Sequence, residues 1–157
     1  MSIIKNSDDQ NPCDTMRKGC LPMLDELENV TEHLVRNNIK PTFQRIKIFN
    51  CLKNSNHPTI DEIYQAVVLE IPTLSKTTVY NTLNLFIKAN IVRCIYIEEN
   101  ETRYDPTVLC HGHFKCEQCE KIFDFSIDID RFACDELKAF RIQSKDVYFR
   151  GICPECQ

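Results

Sequence analysis

Two Cys-x-x-Cys pairs constrain what this chain of 157 residues can fold into more than any other feature of its sequence. The first pair is Cys116 and Cys119, and the second is Cys153 and Cys156. Four thiolates in two pairs are the ligand set of tetrahedral zinc, and such a closed set leaves no coordination position open for chemistry. The competing interpretation, a redox-active pair, requires a thioredoxin-like βαβ context that the neighbouring sequence lacks. The pairs therefore predict a structural zinc site that joins two distant strands.

The overall composition is typical of a folded protein of the cytoplasm. Apolar residues make up 43% of the chain, which is enough for a buried core. No apolar run is long enough to span a bilayer, and the first residues lack the basic-then-apolar pattern of a secretory signal. Ten cysteines in a reducing compartment indicate metal ligands or redox chemistry rather than disulfides. We therefore expect a cytoplasmic protein with no membrane partner.

The pattern of elements predicts an α+β fold class in two domains. A polar, flexible extension is expected over residues 1–20, a winged helix-turn-helix domain over 21–99, and a small C-terminal α/β domain over 100–157. The last segment is expected to contain strands at residues 113–116, 122–130 and 145–152, and a short helix at 131–140.

Cap residues and apolar spacing locate four helices and a hairpin in the winged-helix segment. Apolar residues recur at helical spacing over 23–37, and the next helices are expected to begin after Thr42, Thr59 and Ser75. Thr59 and Glu62 have the spacing of a capping box. A hairpin rich in β-branched residues follows, so the fourth helix takes the position of a recognition helix.

Basic residues cluster in two segments without acidic residues, although the net charge is −4. No acidic residue lies between Glu32 and Asp61, or between Glu70 and Glu98. The second segment includes Arg93. These segments could form a surface that faces phosphates, or they could belong to an ordinary solvated surface. Charge alone does not decide between the two.

Three histidines and two aspartates form a second group of possible metal ligands. His111 and His113 share one face of a predicted strand, and Asp124 lies on the polar face of a nearby strand. With Asp105 they make a nitrogen and oxygen set that suits iron(II), manganese(II) or zinc. The alternative is that these are solvated surface residues. His57, in a loop before a helix cap, indicates nothing by itself.

Five motifs in order resemble the ferric uptake regulator (Fur) family. They are K-P-T-F-Q-R at 40–45, N-H-P-T-I-D-E-I-Y at 56–64, T-T-V-Y-N-T-L at 77–83, H-G-H-F-K-C-E-Q-C at 111–119 and G-I-C-P-E-C at 151–156. The resemblance extends from about residue 23 to the C-terminus. It implies a homodimeric winged-helix repressor that binds double-stranded operator DNA, is not an enzyme, and dimerises through its C-terminal domain.

The resemblance also implies a role for each candidate residue. The four cysteines match the ligands of the structural Zn²⁺. The regulatory metal, Fe²⁺ or Mn²⁺, is implied to bind to His57, Asp105, His111, His113 and Asp124. Tyr80 matches a tyrosine of the recognition helix. The candidate DNA contacts are Lys40, Arg45, Lys76, Thr77, Thr78, Tyr80 and Asn81, with the cations expected to set affinity and the other residues to read bases.

The two aspartates indicate a branch of the family. Zinc-sensing members resemble one another in having cysteine at the position of Asp105, and iron-sensing members commonly have glutamate at the positions of Asp105 and Asp124. With aspartate at both positions, the chain resembles the peroxide-sensing (PerR) branch, whose members use bound iron(II) and peroxide to oxidise a ligating histidine. By position, that histidine is His57 or His111.

Some positions depart from the family pattern. The auxiliary metal site of some Fur proteins is not expected, because Cys110, Gly112 and Arg131 stand where ligands would be. The resemblance offers no role for Cys13 and Cys20.

Three functional alternatives remain open at this point. The first is an iron-responsive repressor of metal uptake. The second is a mononuclear His/Asp metalloenzyme, although five protein ligands would leave little room for a substrate. The third is a zinc-stabilised DNA-binding module that does not sense metal.

Overall fold

The computed structural model describes residues 29–98, 100–107, 111–129 and 134–157. The predicted extension over 1–20 lies outside these residues, and so does the first part of the helix predicted from residue 23. The interpretations of Cys13, Cys20, Cys110 and Arg131 also concern positions outside the described ranges.

Four α-helices occupy the N-terminal half of the described chain. They are α1 (Val30–Arg36), α2 (Phe43–Asn54), α3 (Ile60–Val68) and α4 (Lys76–Lys88). Within the described ranges, no helix has the length and apolar character needed to cross a membrane.

The predicted cap residues begin the last three helices. Thr42 accepts a hydrogen bond from the backbone N–H of Arg45 at 3.4 Å, and Ser75 caps α4 in the same manner. The capping box of α3 is complete, because Thr59 Oγ1 accepts from the N–H of Glu62 at 3.2 Å and Glu62 Oε2 accepts from the N–H of Thr59 at 2.7 Å. These bonds satisfy N–H groups that the first turn of a helix leaves without intrahelical partners.

The four helices enclose one apolar core. Phe49 of α2 and Phe86 of α4 meet edge to face, with ring centroids 5.4 Å apart, and both side chains are fully buried. Aromatic pairs favour this edge-to-face arrangement. The same core includes Leu34, Ile48, Leu52, Ile63, Val79 and Leu83.

A two-stranded wing follows the helices. Strand β1 (Arg93–Ile95) pairs antiparallel with β2 (Arg103–Asp105). The N–H of Tyr104 donates to the carbonyl of Pro58 at 3.0 Å, which attaches β2 to the loop before α3. The predicted division between the two domains, at residues 99 and 100, falls between β1 and β2. This division stays a prediction.

A three-stranded sheet forms the C-terminal half. Strands β3 (His111–Cys116), β4 (Ile122–Ser126) and β5 (Tyr148–Gly151) lie in the order β4-β3-β5, with β3 antiparallel to β4 and parallel to β5. The described chain is therefore an α+β fold with a winged helix-turn-helix half and a smaller sheet half that carries a cluster of four cysteines.

Three predictions for this half need correction. The strand predicted to continue to residue 130 ends at Ser126, because Ser126 pairs with His111, where β3 begins. The strand predicted over 145–152 is limited to β5. Of the helix predicted over 131–140, the described part contains one 3-10 turn, Asp135–Leu137, whose exposed residues bury no apolar face that would stabilise an α-helix.

The wing packs against this sheet. Ile95 and Ile97 are buried together with Ile122 of β4, and Tyr148 of β5 packs on the same group. The wing thus contacts the sheet through apolar side chains and contacts the helices through its bond to Pro58, so it connects the two halves around the sites described next.

Candidate metal centres

Parallel pairing of β3 with β5 brings the two Cys-x-x-Cys pairs together. Cys116 is the last residue of β3 and is paired with Gly151, the last residue of β5. Cys119 lies in the turn that leaves β3, and Cys153 and Cys156 lie around the 3-10 turn that follows β5. The four Sγ atoms lie within 4.8 Å of one another.

The geometry of the four sulfurs fits a tetrahedral zinc ion. Zinc–sulfur bonds of about 2.3 Å in a tetrahedron give sulfur–sulfur edges of about 3.8 Å. The Sγ atoms of Cys119 and Cys153 are 3.8 Å apart. The backbone N–H groups of Cys119 and Cys153 lie 3.5 and 3.3 Å from Cys116 Sγ and lower the pKa of that thiol to about 6. A cysteine that readily forms the thiolate favours binding of a soft divalent cation.

The second cluster draws on four separate parts of the chain. His57 comes from the loop between α2 and α3, His111 and His113 from β3, Asp124 from β4, and Asp105 from the end of β2. The backbone of His57 has a φ of 48°, in the left-handed region, which histidine enters more readily than most residues. His113 and Asp124 are directly opposite each other in the sheet.

Four of these side chains converge on one point. Oδ1 of Asp124 lies 3.0 Å from Nε2 of His57, 3.6 Å from Nε2 of His111 and 3.7 Å from Nε2 of His113. One ligand atom from each of the four residues lies within 4.8 Å of the others. The three imidazole rings are largely buried, whereas 45% of the Asp124 side chain is exposed. The cluster therefore has one accessible side.

One buried nitrogen in this cluster supports metal binding. Nε2 of His113 is buried and has no hydrogen-bond partner among the described residues. It lies 3.7 Å from a carboxylate oxygen of Asp105 and 3.7 Å from one of Asp124. A buried polar atom without a partner is costly, and a divalent cation would satisfy it. The donor set of three imidazoles and a carboxylate fits a borderline or hard divalent metal.

Asp105 lies beside this group and is held by an arginine. Its side chain is 2% exposed, and Oδ2 accepts a hydrogen bond from Nε of Arg93 at 2.9 Å. Burial opposes ionisation of Asp105, but the neighbouring imidazoles of His111 and His113 and hydrogen bonds from the N–H of Thr107 and from Arg93 lower its pKa below the usual range. Asp105 is therefore a carboxylate that already has strong partners, and it is not part of the tight group of four.

The pKa of Asp124 is also lowered. Burial again opposes ionisation, but the hydrogen bond from His57 and the charges of the three histidines outweigh it. Both aspartates are consequently ionised at neutral pH, as a metal ligand must be.

Sequence reasoning missed two residues at this site. Arg93 was grouped with a basic surface, yet it lies inside the cluster, with Nη2 2.8 Å from both ring nitrogens of His111. Asn56 has no role in the sequence analysis beyond the motif at 56–64, yet its side chain contacts both His57 and Ile122. A basic residue at the start of the wing and a polar neighbour of His57 were the available signals, but neither indicates a partner far away in the chain.

The candidate DNA contacts lie on α4 and around the start of α2, and their role stays a prediction. Tyr80 is 53% exposed on α4, and Thr77, Lys76 and Asn81 are exposed on the same helix. Nζ of Lys76 is 2.7 Å from a carboxylate oxygen of Asp61, which partly neutralises its charge.

The other candidates lie near the beginnings of α2 and α4. Arg45, Thr78 and Asn81 line one cleft between these helices. The hydroxyl of Thr78 is 2.9 Å from that of Ser75, so it also contributes to the cap of α4. Lys40 is exposed in the chain before α2, and its carbonyl accepts a hydrogen bond from Arg45 at 2.9 Å.

Comparison with known proteins relates the chain to one family. Residues 36–156 match the model described as the ferric uptake regulator family. The chain is 36% identical over 137 residues to the peroxide-responsive repressor PerR of Staphylococcus aureus (strain Mu50 / ATCC 700699), which covers 84% of this chain and 92% of that protein.

Solved structures show the same relationship. The fold is similar to the ferric uptake regulator of Vibrio cholerae with a TM-score of 0.62 at 26% identity, over 78% of this chain and 98% of that one. It is similar to the Helicobacter pylori ferric uptake regulator with a TM-score of 0.63 at 25% identity, over 83% and 91% of the two chains.

Proposed function

The chain belongs to the ferric uptake regulator family, and we propose that it is a metal-dependent DNA-binding repressor that senses peroxide. The observation that carries the proposal is the convergence of His57, from the helical half, with His111, His113 and Asp124, from the sheet half. A cation bound by all four residues would hold the two halves in one relative orientation. The similarity to a peroxide-responsive repressor supports the choice of signal.

The chemistry of the donors assigns a metal to each cluster. The four cysteines would hold Zn²⁺ as a permanent structural ion, since the set is complete and leaves no open position. The histidines with Asp124, and Asp105 beside them, would hold Fe²⁺ or Mn²⁺, which prefer nitrogen and oxygen donors. The Helicobacter pylori ferric uptake regulator has three functional metal-binding sites. The described residues of this chain contain two groups of this kind.

Repression would depend on a homodimer on double-stranded operator DNA. A pair of α4 helices, one from each protomer, would enter successive major grooves, whose half-sites are about 34–36 Å apart. The orientation of each α4 relative to its sheet would be set by the metal cluster. Because metal and DNA would favour the same arrangement, each would increase the affinity for the other by the same factor.

Peroxide would act through the histidines of the same cluster. The two electrons that reduce peroxide would come from the histidine ring, and iron held by the cluster would supply the redox chemistry that passes them on. One peroxide oxygen would be incorporated into the ring of His57 or His111, and the other would leave as water. Oxidation of His57 would remove the only ligand that the helical half contributes to the tight group of four described residues. The two halves would then lose their common tether, and the affinity for DNA would fall.

A DNA-binding titration tests metal dependence. Fluorescence anisotropy with a labelled operator should show tight binding with Mn²⁺ and a loss of at least tenfold when a chelator removes the regulatory metal. Asp124→Ala should reproduce that loss with Mn²⁺ present. Asp135→Ala is the matched control, since the Asp135 side chain is 85% exposed and pairs with Lys138 away from both clusters. Equal affinity for Asp124→Ala and the control would indicate a DNA-binding module without sensing.

Mass spectrometry tests the signal. After Fe²⁺ and peroxide, a peptide that contains His57 or His111 should gain about 16 Da, the mass of one oxygen atom. The Mn²⁺-loaded protein is the control, because it should not gain mass. Iron-dependent repression without the adduct would indicate an iron-responsive repressor instead. Many turnovers of peroxide per site would indicate an enzyme.

A further inference from the structure

Asn56 connects the two halves of the chain next to the His/Asp cluster. Its Nδ2 donates a hydrogen bond to the carbonyl of Ile122, the first residue of β4, at 2.8 Å. Its Oδ1 is hydrogen-bonded to Nδ1 of His57. One amide therefore contacts both a strand of the sheet half and a candidate ligand of the helical half.

The first of these bonds determines the direction of the second. A backbone carbonyl only accepts hydrogen bonds, so the NH₂ group of Asn56 must face Ile122. The amide oxygen, which also only accepts, must then face His57. Nδ1 of His57 consequently carries a proton, and Nε2, which lies 3.0 Å from Asp124 Oδ1, is the ring nitrogen that would lose its own proton to a cation. A neutral ring with its proton at Nδ1 is the tautomer in which Nε2 is able to bind that cation.

The backbone of the same loop is fixed from the other side. The carbonyl of His57 accepts a hydrogen bond from Nη1 of Arg103 at 3.1 Å, and Arg103 is also paired with Glu98 at 3.2 Å. Glu98 is in turn bonded to Lys115 of β3. His57 is therefore attached to the wing through its backbone. In the described structure, Asn56 is the residue that bonds to Nδ1 of its ring.

We propose that Asn56 is a positioning residue, which selects the metal-binding tautomer of His57 and ties the His57 loop to β4. The inference rests on the proposed function, because it assumes that the cluster binds a divalent metal. Outer partners that orient a ligating histidine typically change metal affinity by about 10–100-fold when they are removed. Asn56 has the two contacts that such a role requires, and it is not itself a ligand.

Two substitutions separate the two roles of this side chain. Asn56→Ala removes both hydrogen bonds. Asn56→Asp keeps an acceptor for Nδ1–H of His57, but it loses the donor to Ile122 and brings a carboxylate towards that carbonyl. Asn54→Ala is the matched control, since Asn54 is an exposed residue of the same type at the end of α2. Circular dichroism verifies that each variant is folded.

The experiment measures Mn²⁺ affinity by calorimetry and the His57 tautomer by ¹⁵N NMR of the imidazole ring, with zinc retained at the cysteines. Asn56→Ala should bind Mn²⁺ about 10–100-fold more weakly and lose the single Nδ1–H tautomer. Asn56→Asp should keep that tautomer but bind Mn²⁺ more weakly than the wild type, because the loop is no longer tied to β4. Asn54→Ala should behave as the wild type.

The two readouts distinguish the possible failures. Wild-type affinity and a single Nδ1–H tautomer in Asn56→Ala would overturn the role of Asn56. If the wild type bound no Mn²⁺ at this cluster, the proposed function would fail. The NMR spectra would still show whether Asn56 sets the tautomer, since that measurement requires no metal.

Discussion

Replacing Arg93 by methionine should expose how strongly the His/Asp cluster depends on an internal cation. The substitution keeps much of the aliphatic side chain and removes the guanidinium that lies 2.9 Å from Asp105 Oδ2. The Asp105 side chain is 2% exposed, so the carboxylate would be left with little access to water. Removing one partner of a buried ion pair typically costs about 3–5 kcal/mol, because the other charge remains buried.

Two features of the structure reduce this cost. The N–H of Thr107 still donates to Asp105 Oδ1 at 2.7 Å, and 26% of the Arg93 side chain is exposed, so water is able to replace part of the guanidinium. We therefore expect Arg93→Met to lower the free energy of unfolding by about 2–3 kcal/mol. Asp105→Asn in the same background should recover part of this loss, since it removes the uncompensated charge.

Urea unfolding measures the effect, followed by circular dichroism with zinc present and no added Mn²⁺. A double-mutant cycle of Arg93→Met and Asp105→Asn should give a coupling energy of about 1–3 kcal/mol. Lys47→Met is the control, because Lys47 and its partner Glu70 are 30% and 54% exposed, and such surface pairs contribute about 0–1 kcal/mol. A coupling energy for Arg93 and Asp105 no larger than the effect of the control would refute the buried pair.

Three further predictions concern stability. Because the pKa of Asp105 is lowered in the folded state, this group contributes its full stabilisation above the unfolded pKa near 4 and loses it as the pH falls below that value. The melting temperature should therefore depend less on pH between pH 7 and pH 3 in Asp105→Asn than in the wild type. Cys153→Ser should release zinc in a colorimetric assay and unfold the sheet half, whereas Cys51→Ser, which lies outside the cysteine cluster, should retain zinc. Gly112→Ala should lower the free energy of unfolding in urea by about 1–3 kcal/mol, since the added Cβ would lie 2.3 Å from the Phe125 ring. An unchanged free energy of unfolding would mean that the ring moves freely.

Local chemistry made the helical half predictable. Thr42, Thr59 and Ser75 satisfy the N–H groups of the turns that follow them, so the sequence within four residues is enough to locate each helix start. The cluster of four cysteines could also be predicted from the sequence, because each Cys-x-x-Cys turn presents two sulfurs to one ion and two turns complete the coordination shell of that ion.

Long-range partners limited the prediction of the second site. The cluster needs His57 beside β3, and this contact depends on the wing, on Asn56 and on Arg103 rather than on any local pattern. Arg93 shows the limit most clearly. Its charge is visible in the sequence, but only the register of β1 with β2, which places Arg93 opposite Asp105, shows that the charge is directed inwards. The end of β4 depended in the same way on where its partner strand begins.

Strand β3 carries ligands of both clusters, and this sets a rule for its length. His111 and His113 lie on one face of the strand and Cys116 lies on the other, since successive side chains alternate. Inserting one residue between His113 and Cys116 would turn one set of ligands to the wrong face, so either the zinc or the regulatory metal would be lost. Inserting two residues would restore the faces but move the clusters apart by about 7 Å. The length of the short segment between His113 and Cys116 thus fixes the distance between the two ligand sets and the faces on which they lie. It is as important to both sites as the ligands themselves.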